Sequence, residues 1–352
     1  MQEECFQDKF LPAPQDGGFR MDDYWIWGAG VVKGDDGQFH MFASRWDKKL
    51  AFSPHWLTNS EIVQATATKP EGPYRFKAVA LPQRGEEFWD GRVTHNPNIV
   101  KYKDKYLLFY MGTTYSGSTP TPENPLLASD PGHPDEQHKV SEQLREAHRN
   151  QRIGLAWADS PDGPWHRPEQ PILEPRPGKW DSCITTNPTA CVSDTGKIVM
   201  IYKSVDRLGG LMQLGICGAK HYQDDFERLI DEPLFDFSDV DDDLEDPCLW
   251  WENGRFELLA KAMEGRITGI PRTGVKFHSN DAINWECSCK GPAYTRNILW
   301  DDGNRTEQSF LERPQMLLQA GRPTHMFFAT ASGSEHIGAV KNTWNACIPL
   351  KP

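Results

Sequence analysis

The sequence is poor in the features that would place it on a membrane or on nucleic acid. No apolar run approaches the roughly 18 residues that span a bilayer, and the opening MQEECFQDKF lacks the basic-then-apolar order of a secretory signal. The expected setting is therefore cytoplasmic, or periplasmic or secreted if a leader has been removed. No cluster of Lys and Arg is present and the formal net charge is -12. A phosphate backbone needs clustered cations, so nucleic acid is excluded as a partner. Cysteine is also sparse for a stapled fold. The eight cysteines are scattered apart from Cys287 and Cys289, and a chain of this size builds a core without disulfides, so buried thiols are expected. Cys287-Ser288-Cys289 has no matching second half for zinc.

What the sequence does have is a repeat. A small residue or proline, an apolar strand, a tight turn and a second apolar strand recur five times. The copies are WGAGVVKGDDGQFHMFAS from Trp27, THNPNIVKYKDKYLLFYMG from Thr94, TTNPTACVSDTGKIVMIYKS from Thr185, LEDPCLWWENGRFELLAKA from Leu244 and LERPQMLLQAGRPTHMFFAT from Leu311. Turn pairs such as Asp36-Gly37 and Asn253-Gly254 sit where a hairpin needs positive φ or a local side-chain hydrogen bond. Between copies lie second, similar elements, among them SEIVQATATKPEGPYRF from Ser60 and QRIGLAWADSPDGPWHR from Gln151. Four short antiparallel strands per unit and five units predict an all-β, five-bladed β-propeller over residues 1–352. One stretch, Ser116 to Asn150, breaks the spacing; its VSEQLREAH has helical periodicity, which predicts a loop and one helix walling an end of the propeller.

The repeat aligns the chain with itself. Six residues before Gly28, Asn96, Asn187 and Arg313 stand Asp22, Asp90, Asp181 and Glu307, with Val240 breaking the pattern in the fourth copy. Acids entering near the axis in several blades are expected to converge. Two more precede the strand prolines, in Glu245-Asp246-Pro247 and Glu312-Arg313-Pro314. Carboxylates crowded around a narrow axis repel, so one is expected to hold its proton and act as an acid while another stays ionised. Glycoside hydrolysis uses such a pair. The expected catalytic set is Glu245, Asp22, Asp23, Asp181 and Asp90. The expected substrate-binding set is Trp25, Arg45, Trp46, His95, Lys203, Lys261, Glu312 and Arg313, with His336 left outside it. Thirteen tryptophans fill blades and also offer flat faces to sugar rings. No spacing demands a cofactor, although the carboxylates could give a divalent ion (Ca2+ or Mg2+) hard oxygen ligands near the axis.

These repeats resemble the five-bladed propeller glycosidases of families 43, 32, 62 and 117. HMFASRW, THNPNIVKYKDKYLLFY, QRIGLAWADSPDGPW, TTNPTACVSDTGK and LEDPCLWWENGRFELL look most like the family 117 branch, whose exo-acting enzymes release 3,6-anhydro-L-galactose from agar oligosaccharides. The resemblance implies an acid at Glu245, through the similarity of Glu245-Asp246-Pro247 to a Glu-Gly-Pro pattern. It implies a base and a pKa-modulating aspartate where this chain has Gly28 and Asn187, which moves those roles to Asp22 or Asp23 and to Asp181. Lys261 stands where family 117 is similar in having a histidine acid. The reading is an exo-acting glycoside hydrolase that removes a terminal sugar from a plant or algal oligosaccharide, with homo-oligomerisation left open. The alternatives are a glycan phosphorylase or lyase and a non-catalytic carbohydrate-binding propeller.

Overall fold

A computed structural model describes residues 5–131, 139–237, 239–288, 291–333 and 339–352. His336 and Cys289 lie outside them. The first blade is β1 (Tyr24–Lys33), β2 (Phe39–Asp47), β3 (Glu61–Ala67) and β4 (Arg75–Leu81). The second is β5 (Val93–Tyr102), β6 (Lys105–Thr113) and β7 (Arg152–Ala158). The third is β8 (Thr186–Val192), β9 (Ile198–Ser204), β10 (Gln213–Ala219) and β11 (Glu227–Arg228). The fourth is β12 (Leu244–Glu252), β13 (Arg255–Ala262), β14 (Thr273–Ser279) and β15 (Glu286–Cys287). After a small hairpin, β16 (Asn297–Leu299) and β17 (Arg305–Glu307), the fifth is β18 (Phe310–Gln319), β19 (Arg322–Gly333) and β20 (Val340–Pro349).

All five blades are antiparallel meanders, and the innermost strands β1, β5, β8, β12 and β18 pack in that cyclic order, with β18 returning to β1. Three blades carry the four strands expected of each. In the other two the outer place is held by isolated bridges, Trp157 with His166 in the second blade and Phe19 with Asn345 in the fifth. The second bridge closes the ring: Phe19, before the first blade, exchanges backbone hydrogen bonds of 3.0 and 2.9 Å with Asn345 on β20. Apolar side chains of adjacent blades interleave, as where Ile201 and Leu214 of the third meet Leu258 and Val275 of the fourth. Cys191, Cys217, Cys248 and Cys347 are buried thiols within this packing, as the sequence suggested.

Two helices, α1 (Phe52–Asn59) and α2 (Glu142–Arg149), lie outside the blades. The second is the one predicted in the insertion; Ser141 caps it by accepting from the Leu144 amide at 3.2 Å. Nothing in the sequence signalled α1. Leu57 of α1, Val93, Tyr115, Leu144 and Ala147 form one buried cluster, so the insertion is docked on α1 over the first two blades. Among the described residues no helix is long and apolar enough to cross a membrane.

Candidate functional site

Every innermost strand breaks register at the same place. The breaks fall between Trp27 and Ala29, His95 and Asn98, Thr186 and Thr189, Glu245 and Cys248, and Glu312 and Gln315. Each is a β-bulge, and in four blades the bulged residue precedes a proline, whose missing N–H costs nothing where the ladder is already interrupted. Asn96, Asn187, Asp246 and Arg313 take positive φ there, between 50 and 53°. Asn and Asp tolerate that region, whereas Arg does so at a cost. Gly28 is the fifth member.

The bulges form a chain of contacts around the axis. Asn96 Nδ2 donates to Asn187 Oδ1 at 2.7 Å, and Asn187 Nδ2 donates to Asp246 Oδ1 at 3.0 Å. Asp246 then accepts the Arg313 amide at 3.2 Å and its Nη1 at 3.4 Å. Arg313 crosses over Gly28, where a Cβ would stand 3.2 Å from its Cγ and 3.3 Å from Asn96 Oδ1. A bulky residue at position 28 would collide with that crossing.

The residue before each bulge sits at one level: Trp27, His95, Thr186, Glu245 and Glu312. Opposite them on the second strands stand Ser44, Met111, Lys203, Lys261 and Ala329. Both lysines reach Glu245. Lys261 Nζ lies 2.7 Å from Glu245 Oε1, 2.7 Å from Glu312 Oε1 and 3.4 Å from Asp246 Oδ2, and Lys203 Nζ lies 2.8 Å from Glu245 Oε2. The Lys261 side chain is 1% exposed against 10% for Glu245 and 16% for Glu312. The ammonium therefore lies beneath two carboxyl groups that reach the surface of the site.

The surroundings drive the two glutamates apart. Burial alone would raise the Glu245 carboxyl, but Lys203 and Lys261 outweigh it and hold it well below the usual range. Burial also raises Glu312, and repulsion from Asp246 and Glu245 adds to it against the single pull of Lys261, leaving its pKa above the usual value. Lys261 resists the discharge that burial favours because three carboxylates surround it, and its pKa is well above normal. His95 is buried beside Arg313; burial first and that cation second push its pKa down to about 3. Its ring meets Trp56 at 5.2 Å and Trp46 at 5.8 Å, and its Nδ1 is 2.8 Å from Ser60 Oγ.

Of the residues expected from sequence, Glu245, Lys203, Lys261, Glu312, Arg313 and His95 gather here. Trp46 belongs to the wall beside His95, with its indole N–H donated to Phe52 O at 3.1 Å. Glu312, expected only to bind, and Glu245, the expected acid, share the Lys261 contact, and their surroundings shift the two carboxyl groups in opposite directions. Other residues stand elsewhere. Asp90 is fully buried between Arg84 at 2.6 Å, Arg167 at 2.7 Å and the Tyr110 hydroxyl at 2.6 Å. Asp181 is its counterpart between Arg176 at 2.9 Å, Arg228 at 2.7 Å and Tyr202 at 2.9 Å. Both clamp blade edges. Asp22 and Asp23 are exposed beyond the end of β1, Asp22 about 16 Å along an extended chain from Trp27. Arg45 neighbours Ser44, so strand alternation turns it to the other face, where it pairs with Glu61 at 2.8 Å. Trp25 is core, donating to Leu50 O.

Sequence reasoning left Asp246, Asn96 and Asn187 out of the site, although all three sit at the aligned bulge. It also missed Trp56, whose indole N–H is held by Asp130 of the insertion at 2.6 Å. Among the described residues no three His, Cys, Asp or Glu side chains are placed to hold a metal. The acids that do converge close on the Lys261 ammonium instead. Paired carboxyl groups whose pKa values are driven apart are the kind of arrangement in which one can protonate a leaving oxygen and the other attack or activate water.

No family model matches the chain, and no curated protein matches it. Its structure does match solved ones. A family 117 glycoside hydrolase, Zg3597, from the marine bacterium Zobellia galactanivorans is 15% identical with a TM-score of 0.65, over 97% of this chain and 89% of that one. BT0996, solved as an RGII complex, is 13% identical with a TM-score of 0.65, over 99% and 94%. The catalytic domain of a family 62 α-L-arabinofuranosidase from Coprinopsis cinerea is 12% identical with a TM-score of 0.58, over 97% and 95%. This chain shares their five-bladed fold. At such identities the likeness is one of architecture, and chemistry has to be argued from the site.

Proposed function

We propose that the protein is a glycoside hydrolase in which Glu312 is the acid and Glu245 the ionised partner. The observation that carries this reading is one buried lysine touching both glutamates, in surroundings that shift the two carboxyl groups in opposite directions. A site built only to bind neutral sugar has no need to set two neighbouring glutamates on one buried lysine and shift them in opposite directions. Glycosidic bond cleavage needs both at once: a proton for the departing oxygen and a carboxylate on the anomeric centre or its water. His95 is neutral at ordinary pH and supplies no competing acid.

The substrate is a plant or algal oligosaccharide and release is from its end. The insertion and α1 support end-on binding, because they raise a wall over the first two blades and bring Trp56 against His95. Phosphorolysis is disfavoured by the charges already in place. Lys203 and Lys261 are engaged by Glu245 and Glu312 and Arg45 by Glu61, and Arg313, which pairs with Asp246 through Nη1 at 3.4 Å, is the one of the four that keeps guanidinium nitrogens, Nε and Nη2, without a hydrogen-bond partner. The test is release of monosaccharide from a panel of arabino-, galacto- and uronic-acid oligosaccharides, with and without phosphate. Release by wild type that is lost in Glu245→Gln and independent of phosphate is the expected result. Tight binding without release would instead make this a lectin-like propeller.

A further inference from the structure

We propose that Arg272 receives a negative charge carried by the substrate, so that the sugar taken by this site is an acidic one, bearing a carboxylate or a sulfate ester. This names the substrate class of the glycosidase reading above, on which it rests. Arg272 ends the loop between β13 and β14, and its backbone amide is anchored on Met263 O at 3.2 Å. Lys261 pairs with Gly274 across those two strands. Arg272 therefore stands two residues nearer the mouth of the site, roughly 7 Å along the strand from the level of Lys261. Its guanidinium lies over the Phe310 ring at 5.8 Å. Phe310 is two residues before Glu312 on β18, and strand alternation places the two side chains on one face. The same ring meets Trp27, from the row of residues before the bulges, at 6.1 Å. The cation thus belongs to the rim over the two glutamates.

That cation lacks a counter-charge. Among the described residues Arg272 forms no ion pair and no side-chain hydrogen bond, and its Nη1 is buried without a partner. The other arginines without an ion pair, Arg20, Arg75, Arg305 and Arg322, are exposed to water, whereas Arg272 is partly buried. Taking a guanidinium out of water with no acceptor to meet it is costly. Its backbone is also held at φ 56°, a region that Arg enters at a cost. The remaining cations of the site are committed: Lys203 to Glu245, Lys261 to Glu245 and Glu312, and Arg313 through Nη1 to Asp246. An acidic sugar entering beside these carboxylates is repelled unless a cation meets it, and a guanidinium offers a carboxylate or sulfate two parallel N–H donors. The charge stays on the sugar throughout the reaction, so the contact is equal in ground and transition states and acts on KM.

Titration calorimetry tests this on the wild-type protein and on Arg272→Gln. The ligands are uronic-acid oligosaccharides, the same oligosaccharides with their carboxyl groups reduced to alcohols, sulfated galacto-oligosaccharides with their desulfated counterparts, and inorganic phosphate. Wild type is expected to bind one acidic class roughly 10- to 100-fold tighter than its neutral counterpart, the worth of hydrogen bonds to a charged group. Which class shows the preference distinguishes carboxylate from sulfate. Arg272→Gln should erase the difference and bind neutral sugar as before, and Arg272→Lys, which keeps the charge without the fork, should recover part of it. Equal wild-type affinity for acidic and neutral forms overturns the inference without any variant. So does an equal loss on both in Arg272→Gln, which makes the cation a prop for Phe310, and so does phosphate binding that depends on Arg272 with no preference among sugars. Release is scored on the same samples: an acidic preference without release from any sugar overturns the glycosidase reading and leaves the charge preference standing, while release from neutral sugars alone does the reverse.

Discussion

Lys261 Nζ stands 2.7 Å from Glu312 Oε1, and the lysine is almost wholly buried. Removing the charge in Lys261→Met leaves Glu245, Asp246 and Glu312 facing one another, and an uncompensated buried charge costs about 3 to 5 kcal/mol. The loss depends on pH in a definite sense. The folded pKa of Glu312 is already raised, so its contribution to stability is present below its unfolded value and lost as pH rises through the folded value. Lys261 opposes that rise, so its removal lifts the Glu312 pKa further and deepens the loss in alkali. Urea unfolding of the variant is expected to show a deficit that shrinks at mildly acid pH. A deficit of equal size at acid and alkaline pH would show that the ammonium does not hold these carboxylates.

The same pair sets the pH dependence of turnover. The competent form has Glu245 ionised and Glu312 protonated, so activity should follow a bell whose acid limb lies below, and whose alkaline limb lies above, the usual glutamate range. Glu312→Gln should abolish the alkaline limb and slow release of an ordinary sugar leaving group by about 100- to 10,000-fold, the typical worth of a placed acid. A nitrophenyl leaving group needs no proton and should suffer far less. If both substrates slow equally, Glu312 is not the acid.

His95 gives a control. Its pKa of about 3 leaves it uncharged across the working range. His95→Gln is expected to leave both limbs of the profile where they are and to act on KM, through the contacts with Trp46 and Trp56. Movement of either limb would mean that the histidine titrates in the reaction.

Much of the fold was legible because a propeller writes its blade into the sequence five times, and the proline after four of the five bulges marks one structural position. The site was legible where chemistry sits on that mark, as in Glu245 and Glu312. It was not legible where periodicity shows equivalence but not direction. Asp90 and Asp181 are equivalent, as the alignment holds, yet their role depends on Arg167 and Arg228, 77 and 47 residues further on. The dipeptides Trp89-Asp90 and Trp180-Asp181, with Arg84 and Arg176 shortly before, were the available sign. In both, the tryptophan stacks on the tyrosine that binds the aspartate, at 5.8 and 6.0 Å.

That reading makes Asp181 a stability residue. Asp181→Asn takes the counter-charge from two guanidinium groups at a fully buried position, so a loss of about 3 to 5 kcal/mol is expected in urea unfolding. The folded fraction should keep its kcat and KM. Asp22→Asn, at an exposed turn, should change stability by no more than about 0.5 kcal/mol and leave turnover alone. A selective loss of kcat in either variant would return that aspartate to the catalytic set.

Asp130 ties the insertion to the site wall. One carboxylate oxygen accepts from the Trp56 indole at 2.6 Å and from the Ser53 hydroxyl at 2.6 Å, so a residue of the long insertion between β6 and β7 holds the α1 aromatic that lies against His95. Hydrogen bonds to a charged acceptor are each worth about 1.5 to 3 kcal/mol. Asp130→Ala should therefore lower Tm and free Trp56 to move. If Trp56 lines the sugar site, KM rises more than kcat falls, since the lost contact is made equally in ground and transition states. If the wall also enforces release from chain ends, the variant should gain activity on longer or branched oligosaccharides relative to wild type. A lowered Tm with unchanged KM and an unchanged product pattern would make the insertion a brace for α1 and remove it from substrate recognition.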